Sequence, residues 1–191
     1  LLLVARDAAR LEALAAELRA AHQVACQTMV ADLASEAGME ALAQRLAAEP
    51  EVGVLVNNAG FGARGPFANL DTDKQVDMVQ VNVVALTHLT RLFLPGIIER
   101  GRGGILNVGS LAGFQPGPNL AVYYATKAYV LSFTEALSEE VKNPNIKITC
   151  LAPGPVRTEF GEKSELDDSL LFKMSLMDVG PVVREGYEGF R

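Results

Sequence analysis

Tyr123 and Lys127 stand four residues apart in the stretch YYATK, and a helix through them would carry both on one face, with Tyr124 turned about 100° away. A phenol is a poor proton source and sink at neutral pH, with a reference pKa of about 10. A neighbouring ammonium favours the phenolate and draws it toward a useful value. Ser110 lies thirteen residues before Tyr123. Its hydroxyl can hydrogen-bond an oxygen whose charge changes, as when a carbonyl becomes an alkoxide or the reverse. Tyr123, Lys127 and Ser110 together could move a proton on and off such an oxygen, and Tyr124 is left to packing or to lining a pocket.

The elements that must position these groups alternate along the chain. Leu1 to Ala5 is a short apolar run, followed by Asp7 as a candidate N-cap and a helix to about Ala21 marked by Leu11, Leu14 and Leu18. Val24 to Val30 reads as a strand, Ser35 to about Ala48 as a helix ending before Pro50, and Val52 to Val56 as a strand. A loop from Asn57 to about Leu70 leads to a long apolar-periodic segment, Thr72 to about Arg100, closed by the GRGG at 101–104. Gly104 to Val108 is a strand, Leu120 to Val141 the helix carrying YYATK, and Ile146 to Leu151 another strand; beyond Pro153 the pattern loosens. VGVLV and GILNV lack polar alternation, so both faces of those strands are expected to be covered. The predicted architecture is a doubly wound parallel sheet with helices on both faces, a Rossmann-like three-layer α/β sandwich forming a single domain over residues 1–191. In such sheets ligands sit beyond the carboxyl ends of the strands. Here those positions hold Arg6 and Asp7, Asp32, NNAG at 57–60, GSLAG at 109–113 and PGPVRTEF at 153–160.

Composition narrows the partners. With 49% hydrophobic residues the chain can bury one sizeable core, and a net charge of −6 without a clustered basic run argues against nucleic acid. The two cysteines, Cys26 and Cys150, sit in apolar runs and read as buried free thiols, which fits a reducing, cytoplasmic setting. No uninterrupted apolar run has the length of a membrane span, and no secretory leader opens the chain. His22 and His88 have no acidic or Cys partners at ligand spacing, so no metal is expected.

NNAG after a strand, Asn82 within VQVNVVAL, Ser110 ahead of Tyr123, YxxxK, and the PGxVxT of Pro153 to Thr158 occur in this order, and together they resemble the short-chain dehydrogenase/reductase family over nearly the whole chain. The resemblance implies that Tyr123 is the general acid/base, with Ser110, Lys127 and Asn82 completing the catalytic set. It also implies that Lys127 binds the nicotinamide ribose, and that Asn82 holds a helix distortion and a water linked to the lysine. The cofactor would be NADP(H), with NAD(H) as the alternative. Ala5 stands where an NAD-preferring acid is usual and Arg6 follows, ready for a 2′-phosphate; the other reading is a surface Arg6 paired with Asp7. By resemblance Asp32 contacts adenine and Asn58, Ala59 and Gly60 flank the adenosine ribose. Pro153, Gly154, Val156 and Thr158 belong to the nicotinamide end, Thr158 at the carboxamide. The family's Gly-rich pyrophosphate turn, with its first strand and helix, is expected before Leu1, where its strand is the middle of a sheet ordered 3-2-1-4-5-6-7, and the last strand after Arg191.

The implied function is interconversion of a ketone or aldehyde and an alcohol. Phe61, Phe67, Phe114 and Phe160 beside the motifs favour an apolar small-molecule substrate, and the stretch at about 160–177 occupies the place of a substrate lid. The helices carrying Asn82 and Tyr123 correspond to those that pair family subunits, implying a homodimer or homotetramer. Two other readings stand beside this one: a nucleotide-binding regulatory protein with little turnover, and a dehydratase or epimerase of the extended relatives.

Overall fold

Parallel pairing organises every strand of the computed structural model, which describes residues 1–47, 52–163 and 176–191. The chain falls into two compact units, Leu1–Pro50 and Glu51–Arg191. Both are Rossmann-like α/β arrangements of parallel strands flanked by helices, and each has its own sheet.

In the first unit β1 (Leu2–Ala5) pairs with β2 (Gln27–Val30), and α1 (Ala8–His22) and α2 (Glu36–Ala47) follow them. Asp7 caps α1 by accepting from the Arg10 amide at 3.0 Å, and the Ser35 hydroxyl does the same for Gly38 at the start of α2. The second strand starts three residues later than its apolar run. The Arg19 guanidinium takes the Cys26 carbonyl, at 3.0 Å from Nε and 2.6 Å from Nη2, where a ladder partner would otherwise be needed. The predicted end of α2 before Pro50 lies outside the described residues.

In the second unit β3 (Val54–Asn57), β4 (Gly103–Val108) and β5 (Ile146–Leu151) form a sheet in that order. These orders match 3-2 and 4-5-6 of the expected topology; neither sheet contains its first strand. The long helical segment is α3 (Thr72–Val79), a π-helical stretch Gln80–Ala85, and α4 (Leu86–Arg100). Gly101 stops it at φ 67°, the left-handed conformation that glycine adopts without strain. By length and composition Thr72–Arg100 could cross a membrane, with mean hydropathy 1.5 in its most apolar window, 39% of which is buried here. After β4 come a 3₁₀ turn (Leu111–Phe114) and α5 (Ala121–Glu140); α6 (Phe160–Lys163) and α7 (Val179–Phe190) follow β5. Alternate residues decide the sheet's faces. Asn57 and Asn107 face α4 and α5, whereas Gly104 and Leu151 meet Phe190 and Gly186 of α7. The expectation of two covered faces holds for β4 but not for β3. Val54 and Val56, on the α7 side of this edge strand, are 48% and 53% exposed among the described residues.

A buried polar ladder ties the layers together. Asn57 Nδ2 donates to Asn107 Oδ1 at 2.8 Å and to Thr90 Oγ1 at 3.2 Å, and Asn107 Nδ2 donates to Thr134 Oγ1 at 2.9 Å. The Asn57–Asn107 pair is also the last rung of the β3–β4 ladder, which explains why β3 ends at Asn57 rather than Val56. Replacing Asn107 by Leu would take from the buried Asn57 amide its shorter hydrogen bond and leave it only Thr90. Asn107→Leu is therefore expected to cost about 2–4 kcal/mol in urea unfolding, more than a conservative apolar change at an exposed β3 position.

Candidate active site

The face of α5 chosen from spacing points inward. Tyr123 and Lys127 are buried, 8% and 6% exposed, and Lys127 Nζ lies 5.8 Å from the centre of the Tyr123 ring. Tyr123 packs with Ala63, Met78 and Ala112, and against Phe160 at a ring distance of 5.4 Å. Tyr124 turns away, as its position predicts. Its ring lies over Gly117, where a Cβ would come within 2.4 Å of it, and meets Tyr123 edge-on at 6.1 Å.

Ser110 ends up beside the phenol because the chain leaving β4 turns at once. Its Oγ caps the 3₁₀ turn by accepting from the Ala112 amide at 3.1 Å and donates to the Pro153 carbonyl at 3.5 Å, and it lies near enough to the Tyr123 hydroxyl to weigh on its pKa. A hydroxyl that accepts from a backbone N–H becomes a better donor, so Ser110 and Tyr123 present two O–H groups that can converge on one substrate oxygen.

Lys127 extends past the ring to the end of β4, where Nζ donates to the Val108 carbonyl at 2.7 Å. Among the described residues this is its only hydrogen bond, which leaves two N–H groups of the buried ammonium without an acceptor. Desolvation draws its pKa down to about 8. The expectation that the ammonium lowers the phenol is not met. Burial dominates and raises the Tyr123 pKa, and the counterweight is the Ser110 hydrogen bond. A lysine that reaches beyond the ring to a carbonyl leaves the phenol oxygen to Ser110.

Asn82 sits in the π-helical stretch, 2% exposed. Its Oδ1 accepts from the Phe61 amide at 3.1 Å, and its Nδ2 donates to the Phe61 carbonyl at 3.0 Å and to Thr126 Oγ1 at 3.1 Å. Next to it is Gly60. A Cβ there would stand 3.1 Å from Asn82 Oδ1 and 3.6 Å from Lys127 Nζ, so the bare Gly60 backbone faces both an acceptor and a donor. Asn82, Ser110, Tyr123 and Lys127 thus meet in one place. The sequence reading missed Thr126 and the Phe61 backbone. The available signal was a threonine three residues after Tyr123, positioned to bond back to that residue's carbonyl.

The other candidates are more dispersed. Asn58, Ala59 and Gly60 are exposed after β3, and Pro153, Gly154 and Val156 line the turn after β5, with Leu111 Cδ1 3.4 Å and Met177 Sδ 4.0 Å from where a Gly154 Cβ would be. Met177 also pairs with this turn, its amide donating to Pro155 and its carbonyl accepting from Arg157. Thr158 is exposed at the start of α6 and accepts from the Phe160 amide at 3.3 Å. Of the stretch at about 160–177, residues 164–175 lie outside the described residues. In the first unit Asp32 Oδ1 accepts from Ala34 in a tight turn after β2. Arg6 follows β1 with no ion-pair or hydrogen-bond partner among the described residues. Asp7 is instead turned to Arg10, at 3.9 Å, so the surface pair considered for Arg6 is not formed. Cys26 and Cys150 are free; Cys150 is only partly buried.

Comparison with known proteins gives the following. The family described as short chain dehydrogenase matches residues 1–169. A short-chain dehydrogenase from Sphingobium yanoikuyae, solved in complex with NADPH, superposes with a TM-score of 0.91 at 35% identity, over 99% of this chain and 73% of its own. A bulky-bulky ketone specific alcohol dehydrogenase from Comamonas testosteroni gives 0.86 at 31% identity, over 99% and 71%. A very-long-chain 3-oxoacyl-CoA reductase of Laccaria bicolor is 41% identical over 150 residues, 76% of this chain and 44% of its own length. The chain spans about half the length of the curated relatives it matches, 44% to 54% for this one and its Anas platyrhynchos counterpart.

Proposed function

We propose, from the premise that the chain belongs to the short-chain dehydrogenase family, that it is the catalytic part of an NADP(H)-dependent oxidoreductase that interconverts an apolar ketone or aldehyde and its alcohol. The observation that carries this reading is the grouping of a buried Tyr123, the Ser110 hydroxyl that weighs on its pKa, and a buried, under-satisfied Lys127 whose Nζ lies over the Tyr123 ring.

The residues fit a nicotinamide cofactor. The two unused N–H groups of Lys127 suit a ribose diol, and the absence of a side chain at Gly60 keeps the adjoining space open to a water between Asn82 Oδ1 and Lys127 Nζ. Arg6, unpaired after β1, suits a 2′-phosphate and favours NADP(H) over NAD(H). NADPH held by these residues would supply the hydride equivalent for carbonyl reduction. Tyr123, its pKa raised by burial, holds its proton at neutral pH and gives it to the substrate oxygen, while Ser110 donates to the same oxygen as negative charge builds there. Leu111, Phe114, Phe160 and Met177 provide an apolar rim, Leu111 and Phe114 being 55% and 62% exposed. Such a rim suits a hydrophobic acyl or ring-bearing ketone, the class to which 3-oxoacyl thioesters belong.

The test is NADPH consumption by the intact protein over a panel of bulky ketones, aldehydes and a long-chain 3-oxoacyl thioester. Turnover of apolar carbonyls with NADPH at least tenfold preferred over NADH is expected. Tight NADPH binding with no consumption on any carbonyl would move the assignment to a nucleotide-binding regulatory protein.

A further inference from the structure

We infer that Thr126 is a positioning residue, which fixes the Asn82 amide beside Lys127 and with it the backbone at Phe61; the inference rests on the acid–base reading of Tyr123 and Lys127. Thr126 is 3% exposed, and its hydroxyl has two partners. It donates to the Tyr123 carbonyl at 2.7 Å, so a lone pair, not the proton, faces Asn82, and it accepts from Asn82 Nδ2 at 3.1 Å. The second Nδ2 proton goes to the Phe61 carbonyl and Oδ1 takes the Phe61 amide. Only one orientation of the amide satisfies this arrangement. Flipped, it would set donor against donor and acceptor against acceptor at Phe61, and acceptor against a hydroxyl already committed to Tyr123.

The chain of bonds therefore runs in one direction, from Asn82 through Thr126 to the backbone of Tyr123. It ties an irregular stretch of helix to the first turn of α5, and keeps a lone pair of Oδ1 on the side of Gly60 and Lys127. Without the hydroxyl, a buried Nδ2 proton loses its acceptor, and the amide has reason to rotate away from both Phe61 and the lysine. Valine has the shape of threonine without either bond. Serine keeps both.

The experiment compares Thr126→Val and Thr126→Ser with wild type and Tyr123→Phe in the intact protein. It reads hydrogen exchange at the Phe61 amide, and kcat and KM for NADPH-driven reduction of whichever ketone of the panel turns over. For Thr126→Val, exchange at Phe61 is expected to quicken about tenfold and kcat to fall about tenfold with KM for NADPH within about twofold; Thr126→Ser stays near wild type in both. Wild-type exchange at Phe61 in Thr126→Val, or a Thr126→Ser as impaired as Thr126→Val, overturns the inference. A fully active Tyr123→Phe would instead defeat the acid–base reading, and the exchange measurement, which needs no turnover, would still decide the role of Thr126. Should Thr126→Val not fold, Thr126→Ala serves in the same comparison.

Discussion

Tyr123→Phe is expected to lower carbonyl reduction by about three orders of magnitude, whereas Tyr124→Phe stays within about twofold of wild type. The first change removes one oxygen from a buried site and little else. The ring that packs against Phe160 at 5.4 Å and lies under the Lys127 ammonium at 5.8 Å remains, so folding and NADPH binding should survive. What disappears is the hydroxyl proposed as the proton donor, whose pKa the Ser110 hydroxyl influences. The second change removes a hydroxyl that makes no hydrogen bond among the described residues, from a ring held by Gly117 and the edge of Tyr123, both of which a phenylalanine keeps. The pair is measured as kcat on an active ketone, with NADPH affinity as the control. Equal activity in Tyr123→Phe and wild type would refute the proton-transfer assignment.

Lys127→Met should separate stability from activity. A lysine whose pKa falls from 10.5 to about 8 on folding binds fewer protons folded than unfolded between those values, so wild-type stability rises as pH goes from about 8 to 10.5. Below pH 8 the full burial cost is present, about 3 kcal/mol by the usual conversion and offset in part by the Val108 hydrogen bond. Methionine keeps the apolar stem without the charge. Lys127→Met is expected to melt several degrees above wild type at pH 7, with the difference closing toward pH 10.5, while reduction drops at least a hundredfold. The wild-type reduction rate should itself decline as pH rises through about 8, where the ammonium is lost. Melting curves that run parallel at all pH values would show that the lysine is not buried in its charged form.

Much of this was legible beforehand because the signals were local. Tyr123, Lys127 and Tyr124 lie in one helix, so spacing alone fixes their directions, and Asp7 and Ser35 cap helices through bonds only three residues long. Parallel pairing was readable from the apolar runs VGVLV and GILNV that became β3 and β4. What escaped depends on distant partners. Burial of Tyr123 comes with Ala63, Met78 and Phe160, from three separate segments, and no inspection of YYATK can tell that desolvation outweighs the ammonium. The late start of β2 needs Arg19 to cross to Cys26, and the exposure of Val54 and Val56 is a matter of what packs on an edge strand, which a local apolar run does not carry. One irregularity did leave a trace. Buried Met78, Asn82, Leu86 and Thr90 are spaced by fours. In a regular helix each such step overshoots a turn by about 40°, a drift of roughly 120° over three steps, close to the turn of one extra residue that a π-helical stretch absorbs.

That stretch also puts fold and function at odds. A π-helical turn is in effect an α-helix carrying one surplus residue, with poorer internal hydrogen bonding than its neighbours. Shortening the segment at 80–85 by one position would yield a smoother and intrinsically sturdier rod, and would swing everything on one side of the cut by about 100° relative to the other. Asn82 could then no longer face Phe61 while Leu86 and Leu89 stay in the core. For secondary structure alone the deletion would be an improvement; what the extra residue provides instead is an Asn82 turned toward Phe61 and Thr126, beside the group proposed for proton transfer.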